Sequence, residues 1–137
     1  MINKINVRIY AICIKDKKVF ALHEDYAGFK MTKFPGGGLE YGEGTIECLQ
    51  REFAEELNLK IKNTEHFYTQ EDFLLSRFRE NEQLLTIYYT TEIVNEDELK
   101  ILDESIERTE WVSLEEESPF QLPIDKIVFE KLKERFL

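Results

Sequence analysis

The run Phe34-Pro35-Gly36-Gly37-Gly38 constrains the fold more than any other stretch of the chain. Three glycines in succession cannot form the middle of a helix, because glycine loses the most backbone freedom on ordering and packs no side chain. They permit unusual backbone angles and close approach of the main chain to a neighbour or ligand. A few residues later the pattern changes. Between Thr45 and Leu57, apolar residues recur at Ile46, Leu49, Phe53 and Leu57, spacings of three and four that give a helix one apolar face. Thr45 is a reasonable N-cap, and Asn58 tolerates the left-handed conformation that often ends a helix. A glycine-rich strand end feeding a helix is the expected local structure.

That helix carries a surplus of acid. At about 100° per residue, Glu52 and Glu56 lie about 40° apart on a stripe adjoining the apolar face, and Glu55 lies about 60° further round from Glu52. Like charges four residues apart repel, and nothing in helix stability asks for them. A divalent cation would resolve the repulsion, since hard ions such as Mg²⁺ take oxygen ligands. The glycines before the helix leave backbone groups open to a phosphate or a metal. Glu43 stands within reach of the same place, and Arg51 can pair with Glu55 across one turn. Carboxylates, a metal and a phosphate-approachable backbone together suggest water attack on a phosphoanhydride.

The other segments are mostly strands. Val7 to Ile14 is nearly continuous in β-branched and apolar residues, Asp16-Lys17 can turn, and Val19 to His23 runs back as a hairpin. Asp25 to Lys33 is polar, contains one glycine and reads as a loop. Strands are expected at about Glu65 to Leu75 and Leu84 to Val94, flanking the polar turn Arg79 to Glu82, with a short one at Glu110-Trp111-Val112. Ile124, Ile127, Val128, Leu132 and Phe136 follow a helical spacing that Pro123 opens. Strands wrapped by two helices make one α/β or α+β sandwich over residues 1–137.

Twenty-eight acidic residues against 18 basic ones give a formal charge of −10. That balance argues against non-specific nucleic-acid binding, which depends on Lys and Arg neutralising phosphates. It also means a phosphorylated substrate would need cations to bridge the repulsion. No apolar run approaches the roughly 20 residues that span a bilayer, and the N-terminus has no signal-peptide layout, so the expected location is cytoplasmic. Cys13 and Cys48 are too few and too isolated for a zinc site or disulfide framework and read as inert small hydrophobes. His23 and His66 lack paired ligands.

The segment Gly37, five residues, Glu43, seven residues, Arg51-Glu52-Phe53-Ala54-Glu55-Glu56-Leu57-Asn58-Leu59 resembles the Nudix box, G-x5-E-x7-R-E-U-x-E-E-x-G-U. Every specified position matches except the last glycine, where Asn58 stands. Pro35-Gly36, Glu40 and Gly42 match flanking residues widespread in the family. The resemblance implies an α/β/α sandwich with a mixed sheet, and a hydrolase of nucleoside diphosphates linked to another group. It further implies Mg²⁺ or Mn²⁺ held by Glu52, Glu55, Glu56 and the carbonyl of Gly36. Glu52 is the first choice as base or water orienter and Glu56 the firmest ligand, with Arg51 and Glu43 orienting them.

Some family members recruit a further glutamate from a loop before a strand bearing a tryptophan. Trp111 follows a loop with Asp103, Glu104 and Glu107, among which Glu104 is the positional candidate, against a solvated acidic loop. Arg8 and Lys33 could grip phosphate, or be rim and solvated residues; Phe34 could stack on a base, or pack in the core; Gly37 could let substrate approach the backbone. Thr32 stands where many relatives have a tryptophan, which weakens any stacking role there. The apolar-aromatic strands could serve a homodimer. The rival readings are a nucleotide-sensing module without turnover and an isoprenoid diphosphate isomerase, for which no Cys-and-Glu pair is clearly placed.

Overall fold

The layering follows from the first strand, β1 (Lys4–Lys15). Ile9, Ala11 and Cys13 belong to one buried cluster, and Tyr10 and Ile12 to the other. A strand covered on both faces needs apolar residues at successive positions, which explains the run from Val7 to Ile14, interrupted only by Arg8. In the computed structural model, which describes residues 1–137, β1 pairs in parallel with β6 (Glu82–Ile93), from Lys4 opposite Glu82 to Cys13 opposite Thr91. It meets β2 (Lys18–Tyr26) antiparallel only at Ile14 and Lys15. Asp16 and Lys17 link them at φ of 53° and 60°, the doubly left-handed geometry of a tight hairpin. The sheet has seven strands in the order β3-β2-β1-β6-β5, with β4 (Gly36–Gly38) on β1 and β7 (Ile106–Ser113) on β2. Here β3 is Phe29–Lys33 and β5 is Ile61–Thr69.

Two helices cover the sheet. α1 (Thr45–Leu57) sets Cys48, Leu49, Phe53 and Leu57 against Ile9, Ala11 and Cys13. α2 (Pro123–Phe136) sets Ile124, Val128, Phe129 and Leu132 against Tyr10, Ile12 and Tyr88. Each large apolar side chain so buried contributes about 1.5–3 kcal/mol. The result is the expected mixed-sheet α+β sandwich, and none of its helices is long and apolar enough to cross a membrane.

Several local expectations change. Asp25 to Lys33 is not a loop: β2 continues to Tyr26, Ala27 and Gly28 turn at φ of 53° and 81°, and β3 returns with Thr32 opposite His23. Of its polar residues Lys33 faces the cleft, while Lys30 is exposed to solvent. β5 runs Ile61–Thr69 instead of 65 to 75, leaving residues 70–81 as an irregular loop, and β7 is longer than the expected 110 to 112. Ile46 and Ile127 sit 40% and 41% exposed, because Cys48 and Phe129 occupy the inward positions. The N-cap of α1 is Gly44, whose N–H donates to Glu47 Oε1 at 2.9 Å, while the Thr45 hydroxyl instead meets that of Tyr89 at 2.7 Å. Asn58 does end the helix in the left-handed region, at φ 58° and ψ 33°.

One polar residue of α2 lies wholly inside. Asp125 accepts a hydrogen bond from the Tyr88 hydroxyl at 2.5 Å, and its Oδ2 has no partner. Burial, the dominant cause, pushes its carboxyl up to about 7 from an ordinary 3.8, against the pull of the Tyr88 bond and the Lys33 charge. A raised folded-state value means that stability is fully present below the unfolded value and is lost as pH climbs through the folded one. Asp125→Asn removes this dependence, so its stability relative to wild type should improve by about 2 kcal/mol between pH 5 and pH 8. Urea unfolding of both proteins at the two pH values checks it; an unchanged difference contradicts it.

Candidate active site

A cleft opens where the sheet splays. β4 pairs with β1 at Arg8 to Tyr10, whereas β2 joins β1 only from Ile14, so the strands diverge between them. The space, about 580 Å³, is lined by Arg8 and Tyr10 of β1, Glu24 and Lys33 of β2 and β3, the glycines of β4, and Glu52 and Glu56 of α1. Glu82 and Asp103 bring its carboxylates to five.

The glycines have separate reasons to be there. Gly36 has φ +150°, and a Cβ on it would overlap the Ile9 carbonyl oxygen. A Cβ on Gly37 would lie 2.5 Å from Glu52 Cδ. Pro35 O accepts from Ala11 N, and Leu39 N donates to Val7 O, both at 2.8 Å. Alternation along this ladder turns the carbonyls of Gly36 and Gly38 off its outer edge. The Gly38 carbonyl accepts from Arg51 Nη2 at 3.0 Å, which leaves that of Gly36 for another partner.

Arg51 joins the loop after β4 to the helix. Its Nε and Nη2 grip the two oxygens of Glu43 at 3.0 and 2.7 Å, and Nη1 donates to Glu52 Oε1 at 2.7 Å. The Glu43 carboxyl is held down to about 2, chiefly by the hydrogen bond from Arg51. Glu56 moves the other way, pushed up to about 9 by burial first and by the adjacent Glu52 carboxylate next, with the Lys33 charge opposing. Two neighbouring carboxylates in a half-buried place resist joint ionisation unless a cation accompanies them. Burial pushes the Cys48 thiol up to about 12, consistent with an inert role.

Of the residues expected at the site, Glu52, Glu56, Gly36, Gly37, Arg8 and Lys33 meet in the cleft, with Arg51 and Glu43 beside it. Three do not. Glu55 points outward, its side chain 61% exposed and joined to Arg51 Nη1 at 3.3 Å. Glu104 is exposed, and its neighbour Asp103 enters the cleft instead. Asp103 Oδ1 accepts from the N–H and hydroxyl of Ser105 at 2.9 and 2.8 Å, and Leu102 N donates to Glu56 O at 2.8 Å, tying the loop to α1. The Asp-x-Ser spacing, a turn signal, was the sequence clue that favoured Asp103. Phe34 is fully buried, stacked on Phe120 with ring centroids 4.3 Å apart, because strand alternation sends Lys33 to the cleft and Phe34 to the core. No three acidic, histidine or cysteine side chains form a closed coordinating cluster. Sequence reasoning also missed Glu24, which pairs with Lys33 at 3.2 Å, both nearly buried.

The chain belongs to the NUDIX domain family, whose model matches residues 3–132. Its fold is similar to that of a MutT NUDIX hydrolase from Burkholderia pseudomallei, at TM-score 0.79 and 16% identity, covering 93% of this chain and 98% of that one. It is also similar to a NUDIX hydrolase from Nitrosomonas europaea, at TM-score 0.77 and 21% identity over 96% and 90% of the two chains. A MutT structure from work on Aliivibrio salmonicida and Vibrio cholerae superposes at TM-score 0.75 with 16% identity, over 97% and 100%. At such identities these are likenesses of fold.

The Arg51 bridge yields a direct expectation. A depressed folded-state value contributes stability above the unfolded value, near 4.5, and loses it as pH falls toward 2. In Arg51→Gln the Glu43 carboxyl should therefore titrate in the ordinary glutamate range, and the acid-side loss of stability attached to it should vanish. NMR titration of carboxyl-labelled glutamates reads this; a Glu43 resonance still titrating near 2 refutes the assignment.

Proposed function

We propose that this protein uses Mg²⁺ or Mn²⁺, held by Glu52 and Glu56 with the carbonyl of Gly36, to hydrolyse a phosphoanhydride in a nucleoside diphosphate linked to another group. The observation that carries the reading is the pair Glu52 and Glu56, set side by side in the cleft beside a glycine carbonyl that the ladder leaves free. The donors are all oxygen, which fits a hard divalent cation. Glu55 belongs to the Arg51 bridge rather than to the ligands, and Asp103 takes the place of Glu104 as the loop carboxylate.

When bound, the metal neutralises charge on the phosphate oxygens and makes water more acidic. The chain's own groups do the remaining work. Glu52 has Oε1 fixed by Arg51, and its second oxygen, turned toward Gly37, can orient a water and accept its proton. Arg51 and Glu43 hold that carboxylate in place. Arg8 and Lys33, on the strand side, bind phosphate oxygens and so align the phosphorus with the water. Phosphoanhydrides linked to a nucleoside, such as nucleoside triphosphates, ADP-ribose and nucleotide sugars, are the compounds to screen.

Product identification across such a panel, with Mg²⁺ and with Mn²⁺, tests the proposal. Glu52→Gln and Glu56→Gln should each lower kcat about 100-fold or more with the fold retained, and Asp103→Asn about tenfold, while Glu104→Gln stays within about twofold. Wild-type rates in the first two sink the reading. Tight nucleotide binding with no turnover on any substrate would replace it with a sensing module.

A further inference from the structure

The loop between β5 and β6 places two arginines over the cleft that no carboxylate of the chain engages. Five cations line the space: Lys4, Arg8, Lys33, Arg77 and Arg79. Lys4 pairs with Glu82 at 3.5 Å and Lys33 with Glu24 at 3.2 Å, and Arg8 Nε donates to the Tyr10 hydroxyl at 2.7 Å. Neither Arg77 nor Arg79 makes an ion pair or a side-chain hydrogen bond, in a chain whose net charge is −10.

The loop carrying them is a built element. At its base Ser76 N donates to Glu82 O and Leu84 N to Leu74 O, both at 2.8 Å. Its tip rests on the β2–β3 turn across the cleft: the Phe78 ring meets Tyr26 edge-on at 5.0 Å, and the Arg77 guanidinium lies over the Phe29 ring at 4.4 Å. Stacking occupies the flat face of the guanidinium and leaves its N–H edge free for a bidentate anion contact.

Charge balance indicates what that anion is. The cleft has as many carboxylates as cations, five of each. Divalent ions at Glu52 and Glu56 add positive charge on the helix side, and Arg77 and Arg79, unpaired within the chain, are left to meet phosphate charge beyond what the ions neutralise. A nucleoside triphosphate carries roughly four negative charges at neutral pH, against roughly two for a diphosphate diester such as a nucleotide sugar. Building on the hydrolase reading, we propose that Arg77 and Arg79 are specificity-determining residues that grip ionised phosphate oxygens and select substrates with three or more phosphates over diphosphate diesters.

The test compares the wild-type chain with the Arg77→Ala/Arg79→Ala double variant in Mg²⁺, on a nucleoside triphosphate and a nucleotide sugar. KM for the triphosphate should rise about tenfold or more with kcat nearly unchanged, and KM for the nucleotide sugar should stay within about twofold. Phe29→Leu, which keeps both arginines but removes the stacking face, should reproduce part of the rise for the triphosphate alone. Equal losses on both substrates, or no loss, overturn the assignment. Calorimetric titration of inorganic triphosphate with Mg²⁺ supplies a measure independent of turnover, again with about tenfold weaker binding in the double variant. Weakened binding in a protein that turns nothing over upholds the arginines and fails the hydrolase reading. Normal turnover with identical triphosphate binding in both proteins does the reverse.

Discussion

The contact between the Glu52 carboxylate and the backbone of Gly37 is the constraint on which the rest of the site depends. α1 packs on the sheet face of Ile9, Ala11 and Cys13, while the cleft includes Arg8 and Tyr10, which turn to the opposite side of β1. Carboxylates borne by α1 reach that space only across β4, and a Cβ at Gly37 would stand 2.5 Å from Glu52 Cδ. Glycine there is a requirement of distance rather than of backbone angle. Gly36 answers a different demand, the close packing of β4 on the carbonyl of Ile9.

Concentrating carboxylates in this way has an electrostatic cost, and the chain offsets it locally. Arg51 binds Glu43 through two bonds and Glu52 through one, so a single guanidinium fixes the loop after β4, the helix and one carboxylate oxygen together. Glu56 is outside that arrangement and carries the residual strain as a raised proton affinity. On the opposite wall, Lys33 and Glu24 form a nearly buried pair, which holds a cation at the cleft without leaving it uncompensated. The acidic helix side and the basic strand side thus belong to different elements. Their relative position is secured by the two apolar clusters rather than by contact between them.

That division explains how the fold persists at 16–21% identity to the similar structures. Layer packing asks only for apolar residues of suitable size on both faces of β1 and one face of each helix. Many cleft-lining positions lie on the β2–β3 hairpin, the loop from 70 to 81 and the loop around Asp103, where length and polarity can change without disturbing the core.

By itself, the amino-acid sequence determined the elements whose signals are local. Spacing and a left-handed asparagine marked α1 and its end, two-sided apolarity marked β1, and the Nudix-box pattern singled out Glu43, Arg51, Glu52, Glu55 and Glu56. Only the tertiary structure decided which acidic residues converge. Glu55 and Glu104 are equivalent in type to Glu56 and Asp103, but helix rotation and the Ser105-capped turn send the first two to solvent. It also moved Phe34 into the core, Ile46 and Ile127 to the surface, and a polar stretch into β3. The physical reason is common to all of these. A residue's type sets what it can do, whereas its burial and neighbours come from partners distant in the chain, as with Lys33 beside Glu24 or Tyr88 beside Asp125.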